Sequence, residues 1–105
     1  YNAADVAASF QKTVVETLVE KTMDAASYSK AKKIVLAGGV SANGCLSDAM
    51  QEACEKKGYA FYRPDPILCT DNGAMIGCRA YYMAQAGRFA DLTLNAKPAL
   101  PITGE

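Results

Sequence analysis

The stretch from Lys33 to Lys57 constrains the fold more than any other part of the chain. Ile34-Val35-Leu36-Ala37 is a short apolar run of the kind that forms a buried strand. It breaks at Gly38-Gly39, and after Val40-Ser41-Ala42-Asn43-Gly44 the pattern turns helical. Leu46, Ala49, Met50, Ala53 and Cys54 fall on one apolar face, while Ser47, Asp48, Gln51, Glu52, Glu55 and Lys56 take the other. Gly58 stands where a left-handed residue closes a helix, and Tyr59-Ala60-Phe61-Tyr62-Arg63 reads as a second strand. The order predicts a β-α-β unit, with parallel strands at about 33–37 and 59–63 and a helix at about 43–57.

The glycine turn offers more than a change of direction. Gly38 and Gly39 lack a Cβ, so they permit φ > 0 and let a phosphate approach the backbone, with a helix N-terminus just beyond. The plainer reading is a tight turn, with Ser41 or Asn43 as the helix N-cap. Ligands of parallel α/β units sit at the carboxyl ends of strands, which puts Gly38, Gly39 and Asn43 on that side.

The flanks are helical. Val6, Phe10, Val14 and Leu18 form a stripe, flanked by Ala7, Ala8, Val15, Val19 and Met23, with Asp5, Lys12, Glu16, Glu20 and Asp24 opposite. So broad an apolar arc predicts a long helix packed against a sheet and ending near Tyr28-Ser29-Lys30. Pro64-Asp65-Pro66 ends the second strand, and a third helix is expected from about Asp71 to Gln85, closed at Gly87. Gly73, Ala74, Gly77, Cys78 and Ala84 make it thin on one side. Each helical glycine costs about 1 kcal/mol against alanine, so close approach by a backbone or ligand is the expected compensation. Residues 1–91 form the expected ordered core, and 92–105, with Pro98 and Pro101, an extended tail.

At 105 residues the chain allows one domain, and its 50% apolar content is that of a folded protein. Eleven basic residues balance eleven acidic ones, which leaves no global field to hold nucleic acid. No apolar run approaches the roughly twenty residues of a membrane span, no signal peptide is evident, and a cytoplasmic location is expected. The four cysteines form no C-x-x-C pair and histidine is absent. A zinc site made within this chain, or a hydrolase of the Ser-His-Asp or Cys-His type, is not expected. Cys54 and Cys78 are expected to be buried thiols. Tyr59, Phe61, Tyr62, Tyr81 and Tyr82 suit strand and helix packing better than base stacking.

Asp71 is the strongest single candidate for chemistry. Asp71 or Thr70 suits the cap of the third helix, and a carboxylate beside Gly73 can also bind a metal or a sugar hydroxyl. One carboxylate has lone pairs enough for both roles. Two parallel strands alone leave both edges unpaired and need cover on both faces, so a piece of a larger α/β protein, or a domain completed by a partner, is expected.

Three motifs occur together in order: Asp5-Val6-Ala7-Ala8-Ser9-Phe10-Gln11, Val35-Leu36-Ala37-Gly38-Gly39-Val40-Ser41-Ala42-Asn43, and Cys69-Thr70-Asp71-Asn72-Gly73-Ala74-Met75-Ile76. The set resembles the C-terminal part of the TsaD family, also called Gcp or YgjD, and the similarity continues through Ala86-Gly87 and Ala90-Asp91-Leu92. The resemblance implies a fragment of the actin/Hsp70-like ASKHA ATPase fold, residues 1–105 being part of its second lobe. It implies a transferase that moves the threonylcarbamoyl group from threonylcarbamoyl-AMP to N6 of the adenosine beside the tRNA anticodon. By the same resemblance Asp71 matches a ligand of the family's iron or zinc ion, Asn43 a residue that contacts the adenylate, and Gly38-Gly39 the pair near its phosphate.

Implied partners are tRNA, a TsaB-like paralogue and a TsaE-like P-loop ATPase. The family's H-x-x-x-H metal ligands have no counterpart here, so the chain alone is expected to be inactive and to bind metal weakly or not at all. Self-association through its open sheet edge and first helix is also expected. The rival reading is a non-catalytic dimerisation module of the same fold class, like TsaB. The protease that an older family name suggests lacks a nucleophile and base here.

Overall fold

The computed structural model describes residues 1–99 and 101. Leu100 and the stretch 102–105 of the expected tail lie outside the described residues. The chain divides into two compact units, Tyr1–Asn72 and the residues from Gly73 onward.

In the first unit, α1 (Ala3–Ser29) is followed by β1 (Lys33–Val35), a 3-10 turn (Gly39–Ala42), α2 (Gly44–Lys57), β2 (Ala60–Tyr62) and a second 3-10 turn (Pro66–Leu68). Asn2 caps α1 by accepting from the Ala4 N–H at 3.0 Å, and Lys30, at φ 58°, ends it. Thr13, Thr17, Thr22 and Ser29 donate their hydroxyls to carbonyls one turn back, which satisfies these groups along the exposed helix. In α2 the Asn43 cap and the left-handed Gly58 (φ 67°) stand at the two ends. Lys56 and Lys57 lie in its last turn, where positive charge complements the helix dipole.

β1 and β2 pair in parallel, Ile34 opposite Phe61 and Val35 opposite Tyr62, and the Leu36 N–H donates to the Tyr62 carbonyl at 2.9 Å. Both strands are shorter than the runs expected of them, three residues each. The sheet is one-sided. Ile34 is buried and Phe61 packs against the core, while Val35 and Tyr62 on the opposite face are 69% and 52% exposed. The core consists of Met23, Ala26, Ile34, Leu46, Met50 and Cys54, with Val15, Val19, Leu36, Ala53, Tyr59 and Phe61 packed on it.

Three expectations need correction in detail. α1 packs chiefly on α2 rather than broadly on the sheet. At 1.5 Å per residue its 27 residues span about 40 Å, whereas three-residue strands span about 10 Å. Only the line Val15, Val19, Met23 and Ala26 reaches the core, and Val6, Phe10 and Leu18 of the expected stripe are exposed. Ser47, expected on the polar face of α2, is buried, and its Oγ accepts from Arg63 Nη1 at 2.7 Å. That bond removes the desolvation cost of the hydroxyl. Cys54 is buried as expected, but Cys78 is exposed.

The second unit contains α3 (Gly73–Gln85), closed by Gly87 at φ 66°, whose N–H donates to the Ala84 carbonyl. None of its residues is buried, and the exposed Tyr81 and Tyr82 rings meet edge to face at 5.4 Å. Its first residue is Gly73, so Asn72 rather than Thr70 or Asp71 stands immediately before the helix.

Candidate functional site

Parallel pairing sends the chain out of both strands at the same end of the sheet: β1 toward Gly38-Gly39 and β2 toward the loop that carries Asp71. Gly38 has φ 89° and ψ 173°, a backbone region open in practice only to glycine. Its carbonyl accepts from the Ser41 N–H at 3.0 Å and from Ser41 Oγ at 2.6 Å. The buried Ser41 thus locks the turn from inside, a role separate from helix capping. A Cβ placed on Gly38 or Gly39 would meet nothing within 4 Å, so the outer side of the turn is open.

Asn43 resolves the choice of cap. Its Oδ1 accepts from the Leu46 N–H at 3.0 Å, and its Nδ2 donates to Gln11 Oε1 at 3.2 Å. Gln11 in turn donates from Nε2 to Cys45 Sγ at 3.2 Å. One amide chain therefore ties α1 to the start of α2. Beside it lies a partly open groove of about 270 Å³, walled by Phe10, Gln11, Val14, Val40, Asn43 and Leu46. Its walls are apolar apart from the two carboxamides, so it suits a flat or apolar group held by one or two directed hydrogen bonds.

The loop to Asp71 is built on a buried thiol. Asp65 caps the second 3-10 turn through the Ile67 N–H at 3.3 Å, and Cys69, 3% exposed, directs Sγ at the Asp65 carbonyl at 3.7 Å. Asn72 Nδ2 donates to the Thr70 carbonyl at 2.9 Å, which folds the backbone around Asp71. Asp71 itself is exposed. Among the described residues no three His, Cys, Asp or Glu side chains gather as a metal site, so this chain's own donors do not fit an iron or zinc ion unaided.

Residues 1–78 match the family model TsaD, described as tRNA N6-adenosine threonylcarbamoyltransferase, and that span takes in Gly38, Gly39, Asn43 and Asp71. The chain belongs to the TsaD family. Curated relatives agree along almost its whole length. A tRNA N6-adenosine threonylcarbamoyltransferase of Desulfitobacterium hafniense (strain Y51) is 52% identical over 99 residues, 94% of this chain and 29% of the relative. One of Moorella thermoacetica is 52% identical over 101 residues, covering 96% of this chain and 30% of the relative. One of Clostridium botulinum (strain 657 / Type Ba4) is 50% identical with the same coverages, 96% and 30%. The chain therefore spans about three-tenths of the length of these TsaD relatives.

Gln11, Ser41 and Cys69 stand around the expected site residues without having been singled out from the sequence. Gln11 had a signal: a carboxamide among Ala7, Phe10, Val14 and Val15, inside an otherwise apolar arc. The sequence marks Ser41 only as a candidate cap, and Cys69 carries no periodic signal.

Proposed function

We propose that this chain is the adenylate-binding part of a tRNA N6-adenosine threonylcarbamoyltransferase, with the fold of the second lobe of an ASKHA domain. The observation that carries the proposal is the 50–52% identity, over nearly all of the chain, to proteins bearing that name. In the reaction, N6 of the tRNA adenosine attacks the carbamoyl carbon of threonylcarbamoyl-AMP. The new N–C bond forms as the bond from that carbon to the phosphate oxygen breaks, AMP leaves, and the amine loses a proton. Gly38 and Gly39 give the phosphate an unobstructed approach to backbone N–H groups, which hold negative charge without reorganisation. Asn43 supplies a directed carboxamide at the edge of the groove, with one Nδ2 hydrogen on Gln11 and a second for the adenylate.

By the family resemblance Asp71 would be a ligand of an iron or zinc ion, and the remaining ligands would come from elsewhere in a longer protein. By the same reading tRNA is the acceptor, and a TsaB-like paralogue and a TsaE-like P-loop ATPase assist. The chain alone should show no tight one-to-one binding of zinc or iron(II) in a calorimetric titration.

The test is a chimera in which this chain replaces the matching 99 residues of the Desulfitobacterium hafniense relative. It should modify tRNA when given threonylcarbamoyl-AMP, and Asp71→Ala should abolish turnover. A folded but inactive chimera would overturn the assignment, and undiminished turnover with Asp71→Ala would remove Asp71 from the mechanism.

A further inference from the structure

Every carboxamide hydrogen bond around Asn43 runs in one direction: Leu46 N–H to Asn43 Oδ1, Asn43 Nδ2 to Gln11 Oε1, and Gln11 Nε2 to Cys45 Sγ. Each link fixes the next. Because Oδ1 must accept from the backbone, Nδ2 faces α1. Because Gln11 must accept there, its own NH₂ faces Cys45. Bonds polarised in series support one another. The capping bond alone leaves Asn43 free to rock about its side-chain torsions, and the Gln11 bond supplies a second anchor 32 residues away in sequence. Both carboxamides line the same groove.

We propose that Gln11 is a positioning residue, which acts through Asn43 by holding its amide plane so that the free Nδ2 hydrogen is aimed at the bound adenylate. The inference rests on the substrate role proposed for Asn43. It assigns Gln11 no contact with the reacting atoms.

Two substitutions separate the links. Gln11→Met keeps the length of the side chain and loses both bonds. Gln11→Glu keeps an acceptor for Asn43 and loses the donor to Cys45. In the 105-residue chain, ¹⁵N NMR of the side-chain amides should show the Asn43 NH₂ pair moved, with faster solvent exchange, in Gln11→Met. The pair should stay near its wild-type position in Gln11→Glu, and the Leu46 amide should stay protected in both. An Asn43 pair unmoved by Gln11→Met would overturn the proposal whatever the activity.

In the chimera, Gln11→Met should raise KM for threonylcarbamoyl-AMP about fivefold, the worth of one ordinary hydrogen bond, with kcat nearly unchanged. Gln11→Glu should recover most of the loss. If Asn43→Ala raises KM while Gln11→Met does not, Gln11 has no positioning role and the substrate reading of Asn43 stands. If Asn43→Ala leaves KM unchanged, the substrate reading fails and the positioning proposal fails with it.

Discussion

At the scale of single residues, the two glycines of the turn separate backbone need from ligand need. Gly38 occupies a conformation that other residues reach only at about 1–3 kcal/mol, so Gly38→Ala should lower stability by that amount in urea unfolding. Gly39 has no such requirement and has open space where a Cβ would stand. Gly39→Ala should leave the unfolding midpoint almost unmoved, yet, on the proposed reading, raise KM for threonylcarbamoyl-AMP in the chimera by setting a methyl group where the phosphate would approach. Equal stability losses at both positions would mean that the turn is structural only. Cys54 offers a pH test. Burial, reinforced by the nearby Glu55 carboxylate, pushes its thiol up from the ordinary value. The folded state therefore holds its proton more tightly than the unfolded chain. The stability this gives is complete below the unfolded pKa, about 8.5, and is lost as pH rises through the folded value. Wild type should lose stability more steeply than Cys54→Ala between pH 8 and pH 10.

At the scale of elements, the sequence shows the period of a helix more clearly than the length over which that helix finds a partner. α2 was legible almost to the residue because its ends carry their own chemistry, Asn43 accepting from the Leu46 N–H and Gly58 at φ 67°. The parallel unit was legible from the spacing of two apolar runs around that helix. The packing of α1 was not, since Val6, Phe10 and Leu18 repeat as regularly as the residues that are buried. Periodicity records which side is apolar and is silent about how short the facing strands are. Ser47 failed for a related reason: its burial depends on Arg63, 16 residues away, which no local pattern encodes. The contrast can be measured. Leu46→Ala, at 2% exposure, should cost about 2–5 kcal/mol. Phe10→Ser, at 71% exposure, should change stability by about 0.5 kcal/mol or less. A loss at Phe10 as large as that at Leu46 would restore the broad packing first expected of α1.

At the scale of the whole molecule, the family and the glycine turn before α2 were legible from order and motif, while the contacts around the candidate site residues were not. Gly38, Gly39 and Asn43 announce a turn before a helix. Gln11 acts through hydrogen bonds to residues 32 and 34 positions away that only the folded chain brings together, and Ser41 and Cys69 act through local side-chain bonds to carbonyls that no periodicity records. The same scale explains why the chain should not remain a monomer at high concentration. Among the described residues the sheet has two strands, so each has an unpaired edge, and its outer face shows Val35 and Tyr62 to water. α1 adds Phe10, and α3 exposes Met75, Ile76, Tyr81 and Tyr82. Open edges template further strands, and apolar surface associates in proportion to the area removed from water. Eleven positive and eleven negative charges leave no net repulsion to oppose this. Light scattering should therefore show an average mass that rises with concentration. Val35→Lys with Tyr62→Lys should lower it by placing two charges on the open face, at little cost in stability because both side chains are already exposed. A monomeric mass for the wild type at the highest soluble concentration would show that neither the open edges nor the exposed face drives association.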